Sequence, residues 1–214
     1  MMIEDFGARV ASVWEGLSST TRKLIVGALQ TPTANPTAAA PPHGGGAKHY
    51  DARSDWELSR LLSALDERVA ENGKSLSVEQ SREMRRMAET CAALLQNQTQ
   101  SAEVFAQLVM RAHRAHDFAR IDQLADTLTT ARFTPSEMCE LARHDHPVIR
   151  ALAHEALALS PTGMLVALLT DEVDAEIARD ALERQADEYG NEEARQLVYL
   201  LDQADMADEV DDDA

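Results

Sequence analysis

Residues 142–161 read "ARHDHPVIRALAHEALALSP". Three histidines, His144, His146 and His154, stand within this stretch, just ahead of and inside an apolar run. Either the stretch collects ligands for a metal, or it is one turn of a repeated helical framework. Pro147 is placed as a first helical residue, where a missing N–H costs nothing. The apolar residues after it recur at helical spacing. At ~100° per residue, Val148, Ile149, Leu152, Ala156 and Leu159 gather on one side, and Arg150 and His154 lie roughly opposite, one turn apart. A helix from Pro147 to Leu159 is predicted, with the first set in the core and the second on the outer face.

The pattern recurs downstream. "DHPVIRALA" at 145 falls on "DAEIARDAL" at 174, matching Asp145 with Asp174, Val148 with Ile177, and Arg150 with Arg179. Each copy follows a short apolar helix, "EMCELA" and "LVALLT". A short helix, a turn with Asp, and a second helix with an apolar residue followed by Arg make a helical-hairpin repeat.

At these residues, Asp145, Pro147, Val148, Arg150 and Ala153, the chain resembles the HEAT-repeat family, whose second helix commonly begins "D-x-x-V-R-x-x-A". Ile149 is inserted here between Val and Arg. The similarity covers about residues 134–189; upstream, Phe105 to Leu128 make a hairpin without the Asp/Arg signature. The resemblance implies a curved stack of helix pairs, an α-solenoid, with an Asp/Arg ladder between neighbours. Asp145, Arg150, Asp174 and Arg179 are the positions that could form it. A single hairpin buries too little to stand alone, so neighbours must complete its core. In such a stack the outer face of the second helix lines the surface where partners bind.

The metal reading is weaker. His146 and His154 are roughly 12 Å apart along a helix rising ~1.5 Å per residue, too far to share one ion. His144 and His146 alone make two ligands, where a structural zinc site takes four. "LAHEALAL" resembles the His-Glu motif of the di-iron deoxyhypusine hydroxylases, themselves HEAT-type stacks, but that family needs several such motifs. Here there is one, His154-Glu155, and the aligned pair is Glu183-Arg184. "AHRAHDFAR" places His113, His116 and Asp117 together and resembles the HD phosphohydrolases, which need a further His and Asp on separate helices. A polar helix end, with His near the C-terminal dipole, accounts for it. A metal-dependent enzyme built on these clusters is therefore the alternative; no metal, cofactor or catalytic residue is expected.

Working outward, the chain divides by composition. Residues 1–30 read as an amphipathic helical segment, with Ile3, Phe6, Val10, Val13 and Leu17 at helical spacing and Trp14 alongside. Residues 31–53 hold "TPTANPTAAAPPHGGGAKH", a flexible Pro/Gly/Ala-rich linker. Residues 54–204 are a succession of capped helices. Ser54 opens the one whose stripe is Leu58, Leu61, Leu62, Leu65 and Val69, ended by Gly73. Ser77 and Gln80 form a capping box. Ser101, Asp117, Thr134 with Pro135, Pro147 and Pro161 mark further starts, and Asp174 and Asn191 cap the last two helices. Residues 205–214 read as an acidic disordered tail.

Of the 214 residues 44% are apolar but only 4% aromatic, and no strand alternation is sustained, so the chain is read as all-α. Twenty Lys+Arg stand against 37 Asp+Glu, a formal charge of −17. That charge repels a phosphate backbone and argues against nucleic acid. No apolar run approaches the ~20 residues that span a bilayer. Cys91 and Cys139 fit buried thiols of a reducing compartment, and a cytoplasmic location is expected.

The sequence thus points to a non-enzymatic adaptor or scaffold that binds a protein presenting basic contact residues. The candidate contacts are Ile3, Phe6, Val10 and Trp14 on the N-terminal helix, and Arg150, His154, Arg179 and Glu183 on the repeats. Large apolar side chains left in water cost about 1.5–3 kcal/mol each, so the N-terminal helix must dock on its own body or on a partner.

Overall fold

The structure is a computed structural model that describes residues 3–30, 51–71, 76–130 and 132–212, with the backbone alone for 205–212. The described residues are all-helical, with eleven α-helices and no strand. They fall into two compact units, Met1–Thr99 and Gln100–Ala214.

The first unit contains a 3-10 turn at Ile3–Phe6, α1 (Ala8–Gly16), α2 (Ser19–Gln30), α3 (Ala52–Glu71) and α4 (Val78–Gln98). Its centre is the α3–α4 pair, because the stripe Leu58, Leu61, Leu62 and Leu65 is wholly buried, as are Met84, Cys91 and Leu95 of α4. The chain is grouped differently from the division expected at residues 30 and 54. α1 packs on α3, α2 packs on both α3 and α4, and the 3-10 turn reaches α4. Phe6 and Val10, expected as partner contacts, are instead core residues at 2% and 1% exposure, while Ile3 and Trp14 are half-buried. Polar ties fix this docking. Nε of Arg68 donates to the carbonyl of Phe6 (2.9 Å), and Arg9 pairs with Glu67. At Gly7 the backbone turns with φ of 109°, and a Cβ there would meet Nε of Arg68 at 3.1 Å. A linker's composition tells nothing of where the helix before it docks, and this helix carries its own apolar face to α3.

The Ser77–Gln80 capping box forms as expected. α3, however, begins at Ala52 rather than after Ser54. Asp51 accepts from the Arg53 N–H and the Ser54 hydroxyl, and Ser54 itself is buried in the first turn. Gly73 and linker residues 31–50 lie outside the described residues.

The second unit runs through α5 (Ala102–Arg114), α6 (Phe118–Leu128), α7 (Pro135–Ala142), α8 (Pro147–Ala158), α9 (Thr162–Leu168), α10 (Ala175–Asp187) and α11 (Glu192–Asp212). Ser101, Asp117 and Thr134 cap α5, α6 and α7 by accepting the N–H three residues on. α5 packs on α6 and α7, α7 on α8 and α9, α9 on α10, α6 on α8, and α8 on α10; α10 also carries α11. Phe105 and Phe133 meet edge-to-face at 5.4 Å inside the α5–α7 core.

Three expectations are corrected here. On α8 the buried face is Ile149, Ala153, Ala156, Leu157 and Ala158; Val148 and Leu152 are only half-buried, and Leu159 is 53% exposed. The reason is that α8 meets three helices, which widens and rotates its covered face, and it ends at Ala158, leaving Leu159 as a C-cap off the stripe. Asn191 caps α11 through the Glu193 and Ala194 N–H groups, but Asp174 makes no cap bond. Finally, α11 continues to Asp212, so the backbone is helical where a disordered tail was expected from 205.

Candidate functional site

The surfaces of α6, α8 and α10 carry the residues singled out on the repeats. Counting outward from the buried Ile121, Ile149 and Ala178, the next residues are Asp122, Arg150 and Arg179. Four positions further on stand Asp126, His154 and Glu183. Two rows therefore run across three packed helices, and the four predicted contacts occupy two of them. Arg150 is exposed, and His154, Arg179 and Glu183 are half-buried. Asp122 and Asp126, at most weak further acids for the HD-type reading, are not among the expected partner contacts because α6 lacks the Asp/Arg signature; the spacing of Ile121, Leu124 and Leu128 places them.

The side chains expected to form a ladder take other partners than those the resemblance implied. Nη1 of Arg150 donates to the carbonyls of His144 and Asp145 in its own turn (3.0 and 3.1 Å). Asp174, 4% exposed, accepts from Nη1 of Arg143 at 2.6 Å. The same Arg143 nitrogen donates to the carbonyl of Val173 (3.2 Å), so Arg143 ties α7 to the turn before α10. Arg179 pairs with Glu183 (3.3 Å) and Asp202 (2.5 Å), binding α10 to α11.

The His-Glu pair on α8 meets a cation of the protein itself. Nη2 of Arg184 lies 3.0 Å from both Glu155 and Glu188, and the Tyr189 hydroxyl donates to Glu155. The Tyr189 bond and then Arg184 hold the Glu155 carboxyl below its ordinary range. Glu155 is thus committed across the repeat. Among the described residues no three His, Cys, Asp or Glu side chains are arranged to hold a metal ion.

The other histidines do come together. His113, on the last turn of α5, meets His146 edge-on at 4.9 Å between ring centroids. The His146 N–H donates to Nδ1 of His144 (3.0 Å). Nδ1 of His146 is buried without a hydrogen-bond partner among the described residues. His116 ends α5 in the left-handed region at φ of 54°.

A buried carboxylate in the first unit had no sequence signal beyond an acid inside an apolar stripe. Glu57, 3% exposed, accepts from the Thr21 hydroxyl (2.6 Å), the Ser18 N–H (2.9 Å) and Nε of Arg53 (2.9 Å). Burial pushes its pKa up, but the bonds from Thr21, Ser18 and Arg53 outweigh that and bring it to about 2. The carboxylate sits at the N-terminus of α2, where negative charge is favoured.

Charge is divided very unevenly. Residues 1–99 hold 11 basic and 12 acidic side chains, a balance of −1. Residues 100–214 hold 9 and 25, a balance of −16, with no lysine. No described helix is long and apolar enough to cross a membrane alone; α8 and α9 reach that length only together, bent by 115°.

No family model, curated protein or solved structure matches this chain.

Proposed function

We propose that the chain is a non-enzymatic interaction scaffold. In this reading α5/α6, α7/α8 and α9/α10 are three HEAT-like pairs of an α-solenoid, and the outward faces of α6, α8 and α10 receive a basic protein partner. The packing order supports the stack: α5, α7 and α9 meet in succession, α6, α8 and α10 do likewise, and each pair packs internally. One observation carries the choice of partner. Asp122, Asp126, Glu176 and Asp180 are exposed and have no ion pair among the described residues, whereas Arg150, Arg179 and Arg184 are engaged in internal ties. Unpaired carboxylates in a field of one sign attract Lys/Arg-bearing surfaces and repel phosphates.

The metal-dependent alternative draws no support from these positions, since Glu155 is held by Arg184 and Tyr189. The test is a capture experiment with the full-length chain beside a D122K/D126K/D180K variant, at about 50 mM and about 500 mM salt, across which screening shortens severalfold. The expected result is a basic protein retained at low salt by the wild type and lost with salt or with the variant. Capture of the same proteins, unchanged by salt and by the three substitutions, would overturn the reading.

A further inference from the structure

The α7–α8 turn requires uncharged imidazoles. The His146 N–H donates to Nδ1 of His144, so that nitrogen must carry a lone pair and the His144 proton must lie on Nε2. This closes the turn in the manner of an aspartate or asparagine that accepts the N–H two residues on. A proton on Nδ1 of His144 removes the acceptor and breaks the bond. The His146 ring is constrained in the same sense. Its Nδ1 is buried and unpartnered, its edge contact is with the His113 ring at 4.9 Å, and it stands as N-cap of α8, where the helix dipole opposes positive charge.

The charged groups around it offer no relief. Those acting on His146 are His113 from α5, His144 from the turn and Arg150 from α8, all cationic or able to become so. Burial first, and these three next, hold the His146 imidazole below its ordinary value. The nearby carboxylates are otherwise placed: Asp117 caps α6, Asp145 is exposed, and Asp174 is held by Arg143. The groups that act on His146 are thus all ones that disfavour its protonation.

We propose that the turn carrying His144 and His146 is an acid-sensitive latch, holding the start of α8 against the end of α5 at neutral pH and releasing it as the imidazoles take up protons. The sign follows from linkage. His146 is harder to protonate when folded, so stability is whole above the ordinary histidine value and falls as pH drops below it, because the unfolded chain binds more protons. Histidine is the side chain whose ordinary value puts this near about pH 6.5.

The experiment uses the full chain and its His144→Asn variant, whose Oδ1 can accept the same His146 N–H without titrating. Thermal unfolding followed by far-UV circular dichroism is compared at about pH 7.5 and about pH 5.5, a range in which histidine is the main titrating side chain. The expected result is a drop of several degrees in Tm for the wild type that is clearly smaller for H144N. Equal drops would overturn the latch. A second readout needs no variant: imidazole nitrogen NMR of the wild type at neutral pH. It must show His144 as the Nε2–H tautomer, with the His146 amide resonance moving between about pH 7.5 and about pH 5.5. The opposite tautomer, or an amide indifferent to the titration, overturns it as well.

Discussion

Glu57 offers the sharpest test of how the N-terminal helices are held. Its carboxylate links α2 to α3 through the Thr21 hydroxyl and the Ser18 N–H, with Arg53 closing the third side. The drop from an ordinary 4.5 to about 2 corresponds to roughly 3 kcal/mol favouring the folded state at neutral pH, at about 1.36 kcal/mol per unit. Arg53 is 74% exposed, so water screens its share and the value is a ceiling. Glu57→Gln preserves the shape but leaves only one acceptor oxygen for three donors, and should cost about 1–3 kcal/mol. Because the folded value is depressed, the contribution is whole above about pH 4.5 and is lost as pH falls toward about 2. Trp14 and Trp56 are the only tryptophans, and both lie in the first unit, so tryptophan fluorescence in urea reports that unit alone. The expected outcome is a lower midpoint for E57Q at pH 7 and a gap that narrows steadily below pH 4.5. An E57Q midpoint equal to wild type at pH 7, or a gap independent of pH, would refute the account of a charged keystone between α2 and α3.

Two further outcomes concern the second unit. His116 is exposed and adopts a left-handed conformation that only glycine enters without strain, so His116→Gly should raise stability by about 0.5–1 kcal/mol in circular-dichroism-monitored urea unfolding; no gain would mean that the His116 ring contributes what the strain costs. Burial, with Asp174 next, pushes the Cys139 thiol up to about 11, so at about pH 8 only about one thiol in a thousand is ionised. Peptide mapping after alkylation should find Cys139 unlabelled in the native protein and labelled in urea, and rapid native labelling would contradict its burial.

Much of the helical framework was legible because it rests on local rules. Ser77, Ser101, Asp117 and Thr134 each cap a helix as their types and spacing demand, and Leu58, Leu61, Leu62 and Leu65 pack as the stripe they form. The failures are of another kind. Phe6 and Val10 look like an orphan apolar face until α3 supplies a partner, joined through Arg68 and Glu67 across 62 and 58 residues, and nothing local announces that pairing. Leu159 obeys the helical period but falls one residue past the helix, so periodicity misplaces it. The repeat offset pairs Asp145 with Asp174 and Arg150 with Arg179. It could not say that Arg143, at the end of α7, would reach Asp174 before Arg150 did, because partner choice depends on where a long side chain emerges rather than on its place in a motif.

The same side chains explain why the second unit presents so one-sided a surface. Five of its nine arginines hold turns and helices together. Arg143 ties α7 to the α9–α10 turn, Arg150 closes the α7–α8 turn on two carbonyls, Arg179 joins α10 to α11, Arg184 bridges α8 and α10, and Arg195 bonds both Glu192 and the carbonyl of Ala186. Arginine suits that work, since its fork can satisfy two acceptors at once, where lysine offers a point charge on a mobile stem. The absence of lysine from residues 100–214 is consistent with such use. With these cations turned to internal acceptors, the field around the unit is set by acids such as Asp122, Asp126, Glu176 and Asp180, which form no ion pair among the described residues. On the proposed scaffold reading, a surface of that kind would bind through charge that is already in place rather than through rearrangement. Its affinity for a basic partner should therefore fall with salt, while the helices beneath, held by arginine ties and buried leucine and alanine, keep their stability.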